Sequence, residues 1–143
     1  ASRAYIFSAA LPPAQAAAAN EAFKVILDEP WRITKLLENT HQFIHGLKQR
    51  GLDTMQTETA IVPVLCGSDE MAYAMTRYAQ ERDCFVLPVV SPAVPVGLAR
   101  LRATITAAHE RDEIEHAMNV IEEAAHALGL DAHSGIAPGE ESA

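Results

Sequence analysis

Apolar and polar residues alternate one by one through "ARLRATI", residues 99–105, the period-two signature of a strand with one buried face. In that register Arg100, Arg102, Thr104 and Thr106 share one side, and Leu101, Ala103 and Ile105 share the other. Two more β-branched runs, "TETAIVPVLC" (57–66) and "CFVLPVV" (84–90), predict further strands, and Pro63 puts the first of them at a sheet edge or a bulge. A short extended segment, "YIFSAAL" (5–11), stops at Pro12-Pro13, because a proline pair cannot continue a strand but can open a helix.

The pattern changes to helical spacing in four places. A helix is expected over 13–28, and its half "AQAAAANEA" favours helix strongly while burying little area, which suits a surface that another chain or domain approaches closely. Pro30 restarts the chain, and Leu36, Leu37, Phe43, Ile44 and Leu47 recur on one face until Gly51 stops the second helix. "GSDEMAYAMTRYAQERD" (67–83) opens with Ser68 as N-cap and acids in the first turn. The last helix spans 111–128, with Ile114, Ala117, Met118, Ile121, Ala124, Ala125 and Leu128 on its inner face.

The order is a long helical hairpin, then strand, helix, strand, strand, helix. The bend "SPAVPVG" (91–97) between the last two strands favours an antiparallel pair. The expected fold is α+β, a small antiparallel sheet with helices on one face. Residues 1–30 are assigned to an interdomain segment and docking helix, 31–130 to the α+β domain, and 131–143 to a disordered tail with almost nothing to bury.

Composition narrows the function. With 143 residues, 49% of them hydrophobic, the chain has enough for one core and little for a second. Nineteen acids against eleven bases give a formal charge of -8, which argues against nucleic acid as a partner. Cys66 and Cys84 show neither metal-ligand nor disulfide-framework spacing, so a reduced, cytoplasmic setting is the default. No apolar run reaches the roughly 20 residues of a membrane span. The first residue is not Met and leads directly into "AYIF", so a piece of a longer protein is expected.

Most chemistry-bearing residues have ordinary explanations. His41 and His45 share a helix face without a third ligand or the glutamate of a zinc-protease motif. His109, Glu113 and His116 cluster at a helix start, where the dipole alone accounts for acids. No metal site is expected. Ser8, Ser68, Ser91 and Ser134 lack a nucleophile elbow, the glycines form no phosphate loop, and Lys24, Lys35 and Lys48 belong to solvated helix faces. Arg100 and Arg102 remain: side-by-side cations need an anion, either the chain's own carboxylates or a ligand. The Ser8 hydroxyl can bond its own turn ahead of Pro12.

"YIFSAALPPAQAAAA" followed much later by "SPAVPVGLARLRATITAAHERDEIEHAM" resembles the C-terminal part of the α-oxoamine synthases, and "RITKLLENTHQFIHGLKQRG" and "TAIVPVLCG" fit the same pattern between them. The likeness runs to about Leu130. It implies the C-terminal small domain of a pyridoxal 5'-phosphate (PLP) enzyme of aminotransferase-like fold, a homodimer that condenses an amino acid with an acyl thioester and releases carbon dioxide. It also implies that Arg102 binds the amino-acid carboxylate, that Pro92 and Ala93 lie where the chain passes the substrate, and that Ser8 and Ala9 contact the cofactor phosphate of the opposite subunit. Arg100 is left structural or supporting. Ala9 stands where Thr or Asn is frequent, so its contact would be through backbone. Val90 replaces an additional arginine of palmitoyltransferase-like members. The Schiff-base lysine, the ring-nitrogen aspartate and the stacking histidine are implied upstream of Ala1, so no catalytic residue is expected in this segment and it should be inactive alone. The contrasting expectation is a non-enzymatic α+β module that binds a small carboxylate or docks a protein, since strand-helix-strand-strand-helix order also suits regulatory domains.

Overall fold

A computed structural model describes residues 12–130. The segment 5–11, with Ser8 and Ala9, and the tail 131–143 lie outside the described residues. The chain divides into two compact units, 1–34 and 35–143.

In the first unit, helix α1 (Pro13–Asp28) starts with proline at N1, where the missing N–H costs nothing, and none of its residues is buried. Phe23 and Leu27 are exposed. Helix α2 (Trp31–Gln49) begins at the end of this unit and supplies Phe43, Gly46 and Leu47 to the core of the second.

The second unit continues with β1 (Ile61–Gly67), α3 (Asp69–Gln80), β2 (Leu87–Val89), β3 (Ala99–Thr104) and α4 (Arg111–Leu128). The sheet is antiparallel in the order β1-β3-β2. β3 is therefore central, and Pro63 sits in an edge strand, where its missing donor leaves no gap in the ladder. Burial alternates along β3 as its sequence pattern requires: Ala99, Leu101 and Ala103 are buried, Arg102 and Thr104 exposed. α3 packs on all three strands and on α4, so one sheet face is covered. Val62, Val64, Leu101, Met75, Met118 and Ile121 form the centre of the core.

Local chemistry sets the element ends. The Ser68 hydroxyl accepts the Met71 N–H at 3.1 Å and caps α3. Glu110 caps α4 in a reciprocal box, its own N–H donating to Glu113 at 2.8 Å, so Glu113 has a capping role beyond the dipole. Gly129 ends α4 at φ 70°, a left-handed conformation that glycine adopts without penalty. Three expectations are corrected. β1 starts at Ile61, paired with Thr104, and the Thr57 and Thr59 hydroxyls of the segment before it bond the Ile61 backbone locally. β2 is three residues, since 84–86 part from β3 around a cavity of about 490 Å³. Thr106 lies beyond β3, in a turn whose Thr106 and His109 carbonyls both accept from the buried Asn39 amide. Val120 joins the inner face of α4, although it lies outside the expected stripe.

α2 and α4 approach closely at Gly46. Arg50 locks the pair, donating to Glu122 at 3.0 Å, Glu115 at 2.6 Å and Asn119 at 2.8 Å. A Cβ at Gly46 would fall on the Met118 thioether, which is buried. Overpacking of roughly 1–3 kcal/mol outweighs the roughly 1 kcal/mol that Ala gains over Gly in helix propensity. Gly46→Ala should therefore lower stability in urea by about 1 kcal/mol, and the same change made alongside Met118→Ala should show no such penalty.

Candidate substrate site

The sheet face opposite the helices carries an open groove of about 1010 Å³, lined by β1, β3, Val89 of β2 and the segment 53–59. Register fixes its floor. Arg102 lies between Pro63 and Leu87, and Arg100 between Leu65 and Val89. Each guanidinium thus has aliphatic cross-strand neighbours and no carboxylate opposite it. Among the described residues neither arginine forms an ion pair, so of the two anions the sequence leaves open, the chain's own carboxylates do not supply it there.

The two arginines are not equivalent. Arg100 is half-buried and donates from Nε to the Leu98 carbonyl at 3.0 Å, with Nη1 3.2 Å from the Met55 sulfur. Arg102 is exposed and has no hydrogen-bond partner among the described residues. A free guanidinium fork on the central strand of a sheet is a rigidly mounted receptor for a carboxylate, and low-dielectric flanks strengthen such a pair.

Pro92 and Ala93 lie in the turn between β2 and β3, outside the groove lining. The Ser91–Pro92 peptide is cis, the Ala93 N–H donates to the Val90 carbonyl at 2.9 Å, and the Ser91 N–H donates to Asp69 at 3.2 Å. Sequence reasoning missed the groove wall, above all Met55. Its φ of 54° is left-handed, and the available signal was Asp53 two residues earlier, whose carboxylate accepts the Met55 N–H at 2.7 Å in a local turn.

The remaining titratable groups are accounted for locally. His41 and His45 are exposed on α2. His109 Nδ1 accepts the Thr106 N–H at 3.2 Å, and His116 Nε2 lies 2.9 Å from the Arg82 carbonyl. No metal-binding group of His, Cys, Asp or Glu exists among the described residues, and no helix there is long and apolar enough to cross a membrane. Burial pushes the Cys66 thiol up to about 11 against a smaller opposing contribution from the Leu101 backbone, and burial also raises Cys84. Both thiols stay protonated at pH 8, so a disulfide reagent should label neither until the chain is unfolded, and absorbance of the released leaving group would show it.

For PLP, the described residues offer a partial fit. The groove offers the free guanidinium of Arg102, but its lysine, Lys48, is an exposed residue of α2, and no backbone or hydroxyl cluster there cradles a phosphate. A cofactor anchor is thus not built by residues 12–130.

The aminotransferase class I and II family matches residues 1–121. 8-Amino-7-oxononanoate synthase 1 of Bacillus velezensis is 43% identical over 128 residues, 90% of this chain and 33% of that protein. Among solved structures, an SPT with PLP superposes with a TM-score of 0.78 at 30% identity, over 92% of this chain and 33% of the other. The serine palmitoyltransferase of Sphingomonas wittichii gives 0.77 at 27% identity, over 90% and 33%. The chain spans about a third of the length of these relatives, which are α-oxoamine synthases. With a match over most of its length and the shared α+β fold, the chain belongs to the aminotransferase class I and II family.

Proposed function

We propose that this chain is the C-terminal part of a PLP-dependent α-oxoamine synthase, and that Arg102 receives the α-carboxylate of its amino-acid substrate. The observation that carries the reading is the exposed, unpaired Arg102 guanidinium on the central strand, at the floor of a groove and with no acid at its cross-strand positions. The relatives' names support the reaction class.

In this reaction the amino acid and the acyl thioester join through a new bond between Cα and the acyl carbon. The bond from Cα to the carboxylate breaks to give carbon dioxide, and the thiol leaves with a proton. PLP, when bound, supplies the electron sink for the carbanion at Cα. Arg102 contributes binding and orientation, since two parallel N–H donors fix the carboxylate plane and therefore Cα. Pro63 and Leu87, its cross-strand neighbours, place apolar side chains on either side of that pair. Once carbon dioxide forms, the anion that Arg102 held no longer exists, which favours product departure.

The lysine, aspartate and histidine that hold the cofactor belong to an upstream domain of the same enzyme, in this reading. Ser8 and Ala9 meet the phosphate across a homodimer interface, and Pro92 and Ala93 border the substrate path. The enzyme is cytoplasmic. The deciding experiment is steady-state kinetics of the complete enzyme with Arg102→Ala: the amino-acid KM should rise while the acyl-thioester KM holds, and an unchanged amino-acid dependence would remove the assignment.

A further inference from the structure

We propose that Met55 determines which amino-acid side chains the groove admits, and that Arg100 is the positioning residue that holds Met55 in place. The inference rests on the reading of Arg102 as carboxylate receptor. Met55, Arg100 and Arg102 line one groove. Arg100 and Arg102 are two residues apart on one strand face, about 7 Å along it, so Met55 stands within reach of a small molecule anchored at Arg102.

The Met55 backbone is held from two sides. Its φ of 54° is uncommon for a residue with a side chain. The Asp53 carboxylate accepts its N–H at 2.7 Å, while the Asp53 carbonyl accepts the Leu65 N–H at 2.9 Å and ties the turn to β1. The side chain is held by Arg100, whose Nη1 is 3.2 Å from Sδ and whose Nε is fixed on the Leu98 carbonyl at 3.0 Å. Arg100 thus directs its donors at the wall, and Arg102 keeps its own for the ligand. A left-handed backbone clamped on both sides places an apolar, space-filling side chain in the groove wall, beside Thr57 and Thr59 hydroxyls already bonded to backbone. The wall favours small amino-acid side chains over long ones.

The test compares alanine with norvaline in the complete holoenzyme, by kcat/KM and, independently of turnover, by calorimetric Kd. Met55→Gly removes the wall and tolerates the backbone angle, and it should lower the alanine-to-norvaline ratio about 10-fold or more. Met55→Leu keeps the volume and should hold the ratio within about 3-fold. Arg100→Lys keeps the charge but loses the planar fork, and should relax the ratio in the same direction as Met55→Gly, with no further change when the two are combined. A Met55→Gly ratio within about 2-fold of wild type in both measurements would overturn the proposal. Arg102→Ala decides separately whether the carboxylate site itself is correctly placed.

Discussion

Arg102→Ala, introduced into the complete enzyme, is expected to raise the amino-acid KM by about 10- to 150-fold, the equivalent of roughly 1.5–3 kcal/mol for a hydrogen bond to a charged group. The size follows from the surroundings. Arg102 is exposed, yet its strand neighbours Pro63 and Leu87 are apolar and offer a carboxylate seated on it no competing polar group from either side. Removing the guanidinium leaves that carboxylate with no other unengaged cation on the groove floor, because Arg100 is turned to Leu98 and Met55. Arg102→Lys should recover only part of the loss, since a point charge replaces a bidentate fork. The acyl-thioester KM serves as the control, and a parallel rise in both constants would indicate a damaged sheet instead of a lost carboxylate contact.

Periodicity made the fold legible where one face of an element is buried and the other is not. α2, α3 and α4 and the alternation in β3 follow directly from residue spacing, because a single solvent-facing side leaves a clean pattern, while α1, with no buried face, follows from its alanines and its opening prolines. What was not legible depends on partners distant in sequence. The length of β2 is set by where its pairing with β3 stops at Arg102, and the segment before β1 is occupied by threonine hydroxyls bonded to the Ile61 backbone. Whether the chain's own acids or a ligand answers the two arginines stays open in the sequence for a related reason: composition counts nineteen acids but cannot say that Asp53 and Glu58, which line the same groove, form no ion pair with either arginine among the described residues. Arg100 and Arg102 looked alike in sequence, and the Leu98 carbonyl together with the loop at Met55, 45 residues away, separates a held guanidinium from a free one.

Leu101→Ala, one residue before Arg102, should destabilise the chain by about 3 kcal/mol, while Arg102→Ala should change stability by less than about 0.5 kcal/mol. Leu101 is fully buried on the central strand, between Val64 and Pro88 and under α3. Truncation removes three carbons from a site whose walls are strands on both sides, and a sheet held by its ladders cannot collapse to fill the space, so a cavity cost adds to the lost transfer energy. Urea unfolding followed by far-UV circular dichroism reads both variants, as a shift in midpoint at unchanged slope. Adjacent positions with opposite consequences, one for stability and one for substrate, are what a half-covered sheet requires. β3 is anchored through its inward residues, which leaves the outward Arg102 free of structural duty and available to a ligand. A small effect at Leu101, or a large one at Arg102, would mean that the strand is inverted and that the groove belongs to the interior.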